Sequence, residues 1–384
     1  MDNGNKASPE AKPRLASLSL HGFKSVRALE SLALGPLNVL IGPNGAGKSN
    51  LISFFRFLSY CMNQECQLFI QELGGGGSAL LFDGPRSTSA MTAELSFATQ
   101  SGLNDYQIAL AYAEPDTLVF TSEAYRYSYH GSVAPAPWRY FPPGSREAQI
   151  AGTKIAGLPE KSRKTAGVIR RCLRSCKVYQ FHDTSRTSRI RQRWSADDSL
   201  WLKEDAANIA PFLLRLREED PPRYSRILES FRLLAPFVAD FVLEERGGAV
   251  MLQWREKGSD LIFSASQASD GTLRALALIA LLSQAPERLP DVAVLDEPEL
   301  GLHPYAIELV AGLVRAAADH CQVILATQSA SLVDQFEPEE IVVAERRGRE
   351  SAFSRLNPDA LREWLGEYSL SELWEKNVVG GRPG

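Results

Sequence analysis

The chain has 384 residues, 44% of them hydrophobic and 23% charged, with a formal net charge of −4. That composition is ordinary for a globular protein with a sizeable core, and it excludes a small scaffold that needs disulfides or a metal to fold. No apolar run reaches the roughly 18 residues of a membrane span, and the polar opening MDNGNKASPEAKPR has no apolar signal region, so a cytoplasmic protein is expected. Five cysteines, an odd number, fit a reducing compartment. Neither Cys61 with Cys66 nor Cys172 with Cys176 has zinc-knuckle spacing, so these read as buried or idle thiols.

In chain order, residues 1–13 read as a flexible tail. Residues 15–41 read as strand, turn, strand: LASLSLHGFKSV, then LNVLIG, whose continuous apolar run suits a strand buried on both faces. A helix is predicted from Gly47 through KSNLISFFRFLSYCM, and residues 71–89, with GGGGS and DGPRSTS, read as loop. The alternating segments AELSFAT, YQIALAYAE and TLVFTSEAYRYSYH predict an antiparallel meander. Residues 135–162, rich in Pro, Gly and Ala, read as loop. Residues 161–193 hold 11 Lys or Arg against a single acid, Asp183. Helices are expected over 200–236 and strands near 240–264.

After Gly271 the pattern alternates strictly. Helix TLRALALIALLSQ, strand VAVLD, helix AIELVAGLVRAAADH, strand QVILAT, helix SLVDQF and strand IVVAE predict an α/β fold with a parallel sheet and crossover helices. No internal repeat and no heptad run long enough for a coiled-coil arm is present.

Residues 42–49 read GPNGAGKS, a complete G-x-x-x-x-G-K-S between a buried strand and an amphipathic helix. Backbone amides of such a loop form a nest for phosphate oxygens, and the helix N-terminus adds its dipole. Asn44, Gly45, Ala46, Gly47, Lys48, Ser49 and Asn50 are the expected contacts to ATP. Lys48 is expected to reach the β- and γ-phosphates, and the Ser49 hydroxyl to hold Mg2+. Further on, VAVLDE is an apolar strand that delivers two carboxylates at its C-terminal edge, where ligands of open α/β sheets bind. Asp296 is expected to hold Mg2+ through water, and Glu297 to orient and polarise the attacking water.

Together with Gln267-Ala268-Ser269-Asp270-Gly271-Thr272-Leu273-Arg274, the chain resembles the ABC ATPases, in particular their RecF, SMC and OLD branch. That segment is similar to the family's signature motif, with Ala268 where Leu is usual. In the family, the counterparts of Ser269, Asp270 and Gly271 meet the γ-phosphate of ATP bound on the opposite protomer, which implies a homodimer that sandwiches nucleotide. Pro298-Glu299-Leu300-Gly301-Leu302-His303-Pro304 resembles the stretch carrying the dimer-contacting D-loop. Gln328, in Ala326-Thr327-Gln328-Ser329, stands where the family usually has a switch His. Gln can hydrogen-bond a γ-phosphate or the lytic water but carries no proton charge, which bears on the rate of hydrolysis rather than on ATP binding. The opening HGFKS resembles the branch's first strand, and Tyr179–Ser185, with Gln180 and His182, lies roughly where its Q-loop falls.

The resemblance implies an ABC-ATPase head: a P-loop parallel sheet, an antiparallel β subdomain and an inserted helical and basic lobe. One head is expected over 14–384, with its core in 14–60 and 262–345, the insertion at 61–261 and an extension at 346–384. Lys48 and Ser269 lie 221 residues apart, about twice the usual spacing in transporter subunits, which also lack HGFKS. A P-loop kinase or GTPase leaves SDG and LDEPELGLHP unexplained. The 39 residues after Glu345 are too few for the Toprim nuclease of OLD proteins, so an effector, nuclease or toxin, is expected as a separate chain. The Lys161–Arg193 stretch is the candidate DNA surface, alternatives being contact with a partner or with nucleotide, or plain solvation. Two functions stay open: an ATP-driven DNA-associated switch in repair or anti-phage defence, and an ATPase scaffold that restrains or triggers the effector.

Overall fold

The computed structural model describes residues 12–132 and 135–382. Most of the expected tail, 1–13, lies outside the described residues. The elements of the first half are β1 (Arg14–Phe23), β2 (Val26–Ala33), β3 (Leu37–Ile41), α1 (Lys48–Met62), β4 (Ala90–Thr99), β5 (Gly102–Ala113), β6 (Thr117–Tyr129), α2 (Glu160–Arg174) and β7 (Cys176–Tyr179). The second half contributes α3 (Ile209–Glu219), α4 (Pro221–Leu234), β8 (Val238–Val242), β9 (Gln253–Glu256), β10 (Ile262–Ser264), α5 (Asp270–Leu282), β11 (Val292–Asp296), α6 (Pro304–Ala318), β12 (Gln322–Ala326), β13 (Ile341–Arg347), β14 (Glu350–Arg355) and α7 (Leu370–Glu375). The architecture is α/β. The chain divides into two compact units, one of residues 1–35, 53–176 and 347–352, the other of 36–52, 177–346 and 353–384.

The first unit is built on an antiparallel sheet in the order β2-β1-β4-β5-β6, with the two-residue strand Arg139–Tyr140 at its edge. The meander forms because β4 and β5 alternate, burying Met91, Ala93, Leu95 and Phe97 on one side. β1 pairs with β4 as well as β2, so the opening strands belong to this sheet, not to the one that holds β3. The segment after β6, expected as loop, is irregular but anchored. The Glu123 carboxylate, 1% exposed, accepts the Tyr106 hydroxyl at 2.9 Å and the amides of Gln149 and Ile150 at 2.8 and 2.9 Å. Three charge-assisted bonds satisfy a carboxylate whose desolvation would otherwise be costly.

The second unit holds a six-stranded sheet ordered β14-β13-β3-β12-β11-β7. β3, β11 and β12 are buried at every position, as mainly apolar runs require of strands covered on both faces, and the polar Asn38 and Gln322 are buried with them. They pair in parallel, with Asp296 beside Ala326, Ala326 beside Leu40, and Val343 beside Ile41. This register aligns the carboxyl ends of β3, β11 and β12, so whatever follows each strand emerges at one edge. α5 packs into the same core, and a small antiparallel sheet, β8-β9-β10, lies in this unit too. Near the end of the described chain, α7 buries Trp374, whose indole N–H donates to the Gly381 carbonyl. All five cysteines are buried, and none is in a disulfide. Among the described residues no helix is long and apolar enough to cross a membrane.

Candidate functional site

The loop after β3 carries glycine where a side chain would strain the backbone or clash. Gly45 and Gly47 adopt φ of 77° and 107°, in the left-handed half of backbone space. At Gly42 a Cβ would come within 2.2 Å of the Ala344 carbonyl oxygen on the neighbouring strand. The loop runs directly into α1, whose first-turn amides have no acceptor within the helix and carry its positive dipole end. Asn44, Gly45 and Ser49 are exposed, Asn50 is half-buried, and Ala46 and Gly47 are buried. Lys48 is 5% exposed and reaches back across the loop, donating to the carbonyls of Gly42 at 2.5 Å and Pro43 at 3.2 Å. Burial lowers its pKa from the usual lysine value, opposed by the charges of Glu297, Asp296 and Glu299. On the loop's other side Arg346 donates to the Gly45 carbonyl at 3.2 Å.

Asp296 closes β11 with its side chain buried. The Gln180 amide donates to its Oδ2 at 2.7 Å, and His182 Nε2 donates to its main-chain carbonyl at 2.9 Å. Segment 179–185 therefore lies against the strand end, and its two flagged residues are the ones that touch Asp296. Glu297 follows at φ 42°, a left-handed conformation rare outside glycine, with its amide bonded to the Ala326 carbonyl at 2.9 Å. The chain thereby turns sharply and presents the carboxylate to the next strand end, where Gln328 Nε2 donates to Glu297 Oε1.

Sequence reasoning gave Glu299 no role, yet it ties the same two strand ends together. Its Oε1 accepts the Thr327 hydroxyl at 2.5 Å and the Gln328 amide at 3.1 Å, while Oε2 is buried with no hydrogen-bond partner among the described residues. Burial raises its pKa above the usual glutamate value, the Thr327 and amide donors oppose the shift, and the charge of Glu297 adds to it. A raised pKa means the folded state favours the proton, so Glu299 stabilises the fold less as pH rises through its titration. Glu299→Gln, which is neutral at every pH, should gain in melting temperature relative to the wild type as pH rises from the ordinary glutamate range upward. A melting-temperature difference that stays constant over that rise would contradict the assignment.

The Ser269–Gly271 turn caps α5. Ser269, exposed, accepts the Thr272 amide at 3.1 Å, as expected of an N-cap. A Cβ on Gly271 would lie 2.4 Å from the Gly301 carbonyl, so glycine allows the turn to pack against the LGLHP stretch. Arg274 fixes the same approach, donating to the carbonyls of Leu300 at 2.9 Å, Phe181 at 3.1 Å and His182 at 2.8 Å.

The basic stretch has residues in both units. Residues 161–176 belong to the first unit and 177–193 to the second. α2 exposes Lys161, Arg163, Lys164, Arg171 and Arg174, although Lys164 pairs with Glu160. Beyond β7, Arg189 pairs with Asp205 at 2.8 Å, and Arg191 is buried. Within the Lys161–Arg193 stretch, then, some cations are exposed and others are spent on carboxylate or carbonyl acceptors, a distinction that counting charge does not reveal.

The residues present fit a magnesium nucleotide by their chemistry. Glycine-dependent amides, a buried lysine and three carboxylates meet at one sheet edge, where the buried Glu299 Oε2 has no hydrogen-bond partner among the described residues. No group of three His, Cys, Asp or Glu among the described residues is arranged to hold a metal unaided. Mg2+ usually binds through one or two carboxylates plus phosphate oxygens and water, and carboxylates are what this edge presents.

The fold is that of Smc head domains. Among solved structures it is similar to the SmcHead bound to the C-winged helix domain of ScpA, at 14% identity over 91% of this chain and 100% of that one, with a TM-score of 0.59. It is also similar to the Smc head domain with an extended coiled coil bound to the C-terminal domain of ScpA, from Pyrococcus furiosus (12% identity, 92% and 99% covered, TM-score 0.55). A third is the Smc head domain with a coiled coil and joint from Pyrococcus yayanosii (13% identity, 92% and 99% covered, TM-score 0.52). Residues 37–102 and 117–334, more than half of the chain, match the family described as "AAA domain, putative AbiEii toxin, Type IV TA system", and the chain belongs to that family. No curated protein matches it.

Proposed function

We propose that this chain is an ATP-driven switch in which residues 14–384 work as one ATPase head and two copies close around nucleotide. Asn44 to Asn50 cradle the phosphates, with Lys48 leaving the Gly42 and Pro43 carbonyls for phosphate oxygens. Ser49 and Asp296 hold Mg2+, which when bound supplies charge neutralisation of the phosphate chain. Glu297 orients and polarises the attacking water, and Gln328 holds Glu297 in place and bonds the water or the γ-phosphate. Ser269, Asp270 and Gly271 meet the nucleotide of the opposite copy. The observation that carries this reading is the convergence of Lys48, Gln180, Asp296, Glu297 and Gln328 at the carboxyl edge of one parallel sheet. Sedimentation of the Glu297→Gln variant in Mg·ATP tests it; a monomer at saturation would overturn it.

We place the switch in DNA repair or anti-phage defence in the cytoplasm, acting on DNA, on a separately encoded nuclease or toxin, or on both. The family description, with its toxin and type IV system, favours defence. Direct DNA contact is supported by the exposed lysines and arginines of α2. Each lost phosphate contact removes about 0.9 from the slope of log affinity against log salt. Replacing Lys161, Arg163 and Arg171 by Glu should accordingly flatten the salt dependence of duplex binding by two to three such steps. A wild-type chain that ignores duplex DNA at low salt leaves the effector as the sole target.

A further inference from the structure

Arg191 lies in the short 3-10 turn Arg189–Arg191, and its side chain is only 6% exposed. Every nitrogen of its guanidinium is used. Nε donates to the Thr184 carbonyl at 2.9 Å, and Nη1 donates to the carbonyls of Ala265 and, at 3.2 Å, Ala268. Nη2 pairs with Asp270 Oδ1 at 2.8 Å. Three of the four acceptors therefore surround the entry to α5, where Ser269–Gly271 sits. The fourth belongs to the segment whose Gln180 and His182 hold Asp296.

Stability alone is a poor reason for such an arrangement. A buried ion pair repays its desolvation only in part, and an apolar side chain of similar volume often serves a core as well. What a planar five-donor fork provides is geometry, since it fixes several acceptors relative to one another at once. Here the acceptors are Thr184 on one segment and the 265–270 turn on another. The Asp270 carboxylate is 60% exposed, so this end of the clamp reaches the surface that the turn presents.

We propose that Arg191 is a positioning residue that holds the Ser269–Gly271 turn in the orientation required by the nucleotide of the opposite copy. This rests on the two-copy reading above. Arg191 makes none of the contacts around Lys48 described for the chain's own phosphate loop. Its loss leaves a monomer able to bind ATP and impairs the closing of two copies. Because Thr184 lies two residues from His182, the clamp also ties the turn to the strand end that carries Asp296.

The test uses the full chain in the Glu297→Gln background, with two measurements: the ATP affinity of the dilute monomer and the dimer dissociation constant in saturating Mg·ATP. Arg191→Gln should leave ATP affinity within about twofold and weaken the dimer roughly tenfold or more, a coupling of the size usual between linked sites. Arg191→Lys, which keeps the charge but not the fork, should fall between. If Arg191→Gln shows no cooperative melt, Arg191→Lys against its parent gives the same comparison. An unchanged dimer constant, or ATP affinity falling in parallel with it, overturns the proposal. Glu297→Gln alone remaining monomeric would instead remove the two-copy reading beneath it.

Discussion

Glu297→Gln is expected to sediment as a dimer in saturating Mg·ATP, under conditions in which the wild type cycles between monomer and dimer. The substitution keeps the side chain's length and leaves an oxygen to accept from Gln328 Nε2. It removes one of the three carboxylates that face Lys48, so the site becomes less repulsive to the phosphate chain. What it cannot do is take up charge from an attacking water. A positioned base contributes roughly 10²–10⁴-fold to a rate, and turnover should fall within that range. Bound nucleotide then persists, and so does the closed pair. The wild-type rate should itself be modest, because the residue at the switch position is an amide.

Lys48→Ala is expected to weaken ATP binding steeply while leaving the fold intact. The Lys48 ammonium is buried, bonded to two loop carbonyls, and its charged form is disfavoured by burial. Removing it therefore costs the empty site little. In the complex, truncating one partner of a buried charge pair costs about 2–5 kcal/mol, which is roughly a thirtyfold to several-thousandfold loss of affinity. Equilibrium binding together with a thermal melt separates the two effects, and undiminished affinity would mean that phosphates bind elsewhere. A pH dependence follows from the same lysine. Binding needs its charged form, so affinity should decline as pH rises through a value below the ordinary lysine range.

The parallel sheet could be read directly from residue order because β3, β11 and β12 are mostly apolar runs that lead into the residues of the site. The phosphate loop was equally plain, since its glycines answer to backbone conformation. β2 was not, and the reason is its burial: positions 26, 29 and 32 face inward, a spacing of three that matches neither a regular strand nor a helix. The Gln149–Ala151 segment reads as loop by composition, and what buries it is Glu123, 26 residues earlier. The contacts of Gln180 and His182 with Asp296 span more than a hundred residues, so only the family's order hinted at them. Arg191 was hidden for a different reason. Its partners are mostly main-chain carbonyls, which every residue possesses and no sequence pattern marks.

The left-handed backbone at Glu297 has a consequence for how this position can drift. A side chain there must tolerate φ 42°, which costs little for Gly, Asn or Asp and on the order of 1–3 kcal/mol for most others. It must also span the gap to Gln328, which those three are too short to do. Residues that relax the turn cannot reach, and residues that reach must bear the strain. Glutamate is among the residues that reach and bear the strain, so a substitution here that eases the backbone also gives up the contact with Gln328.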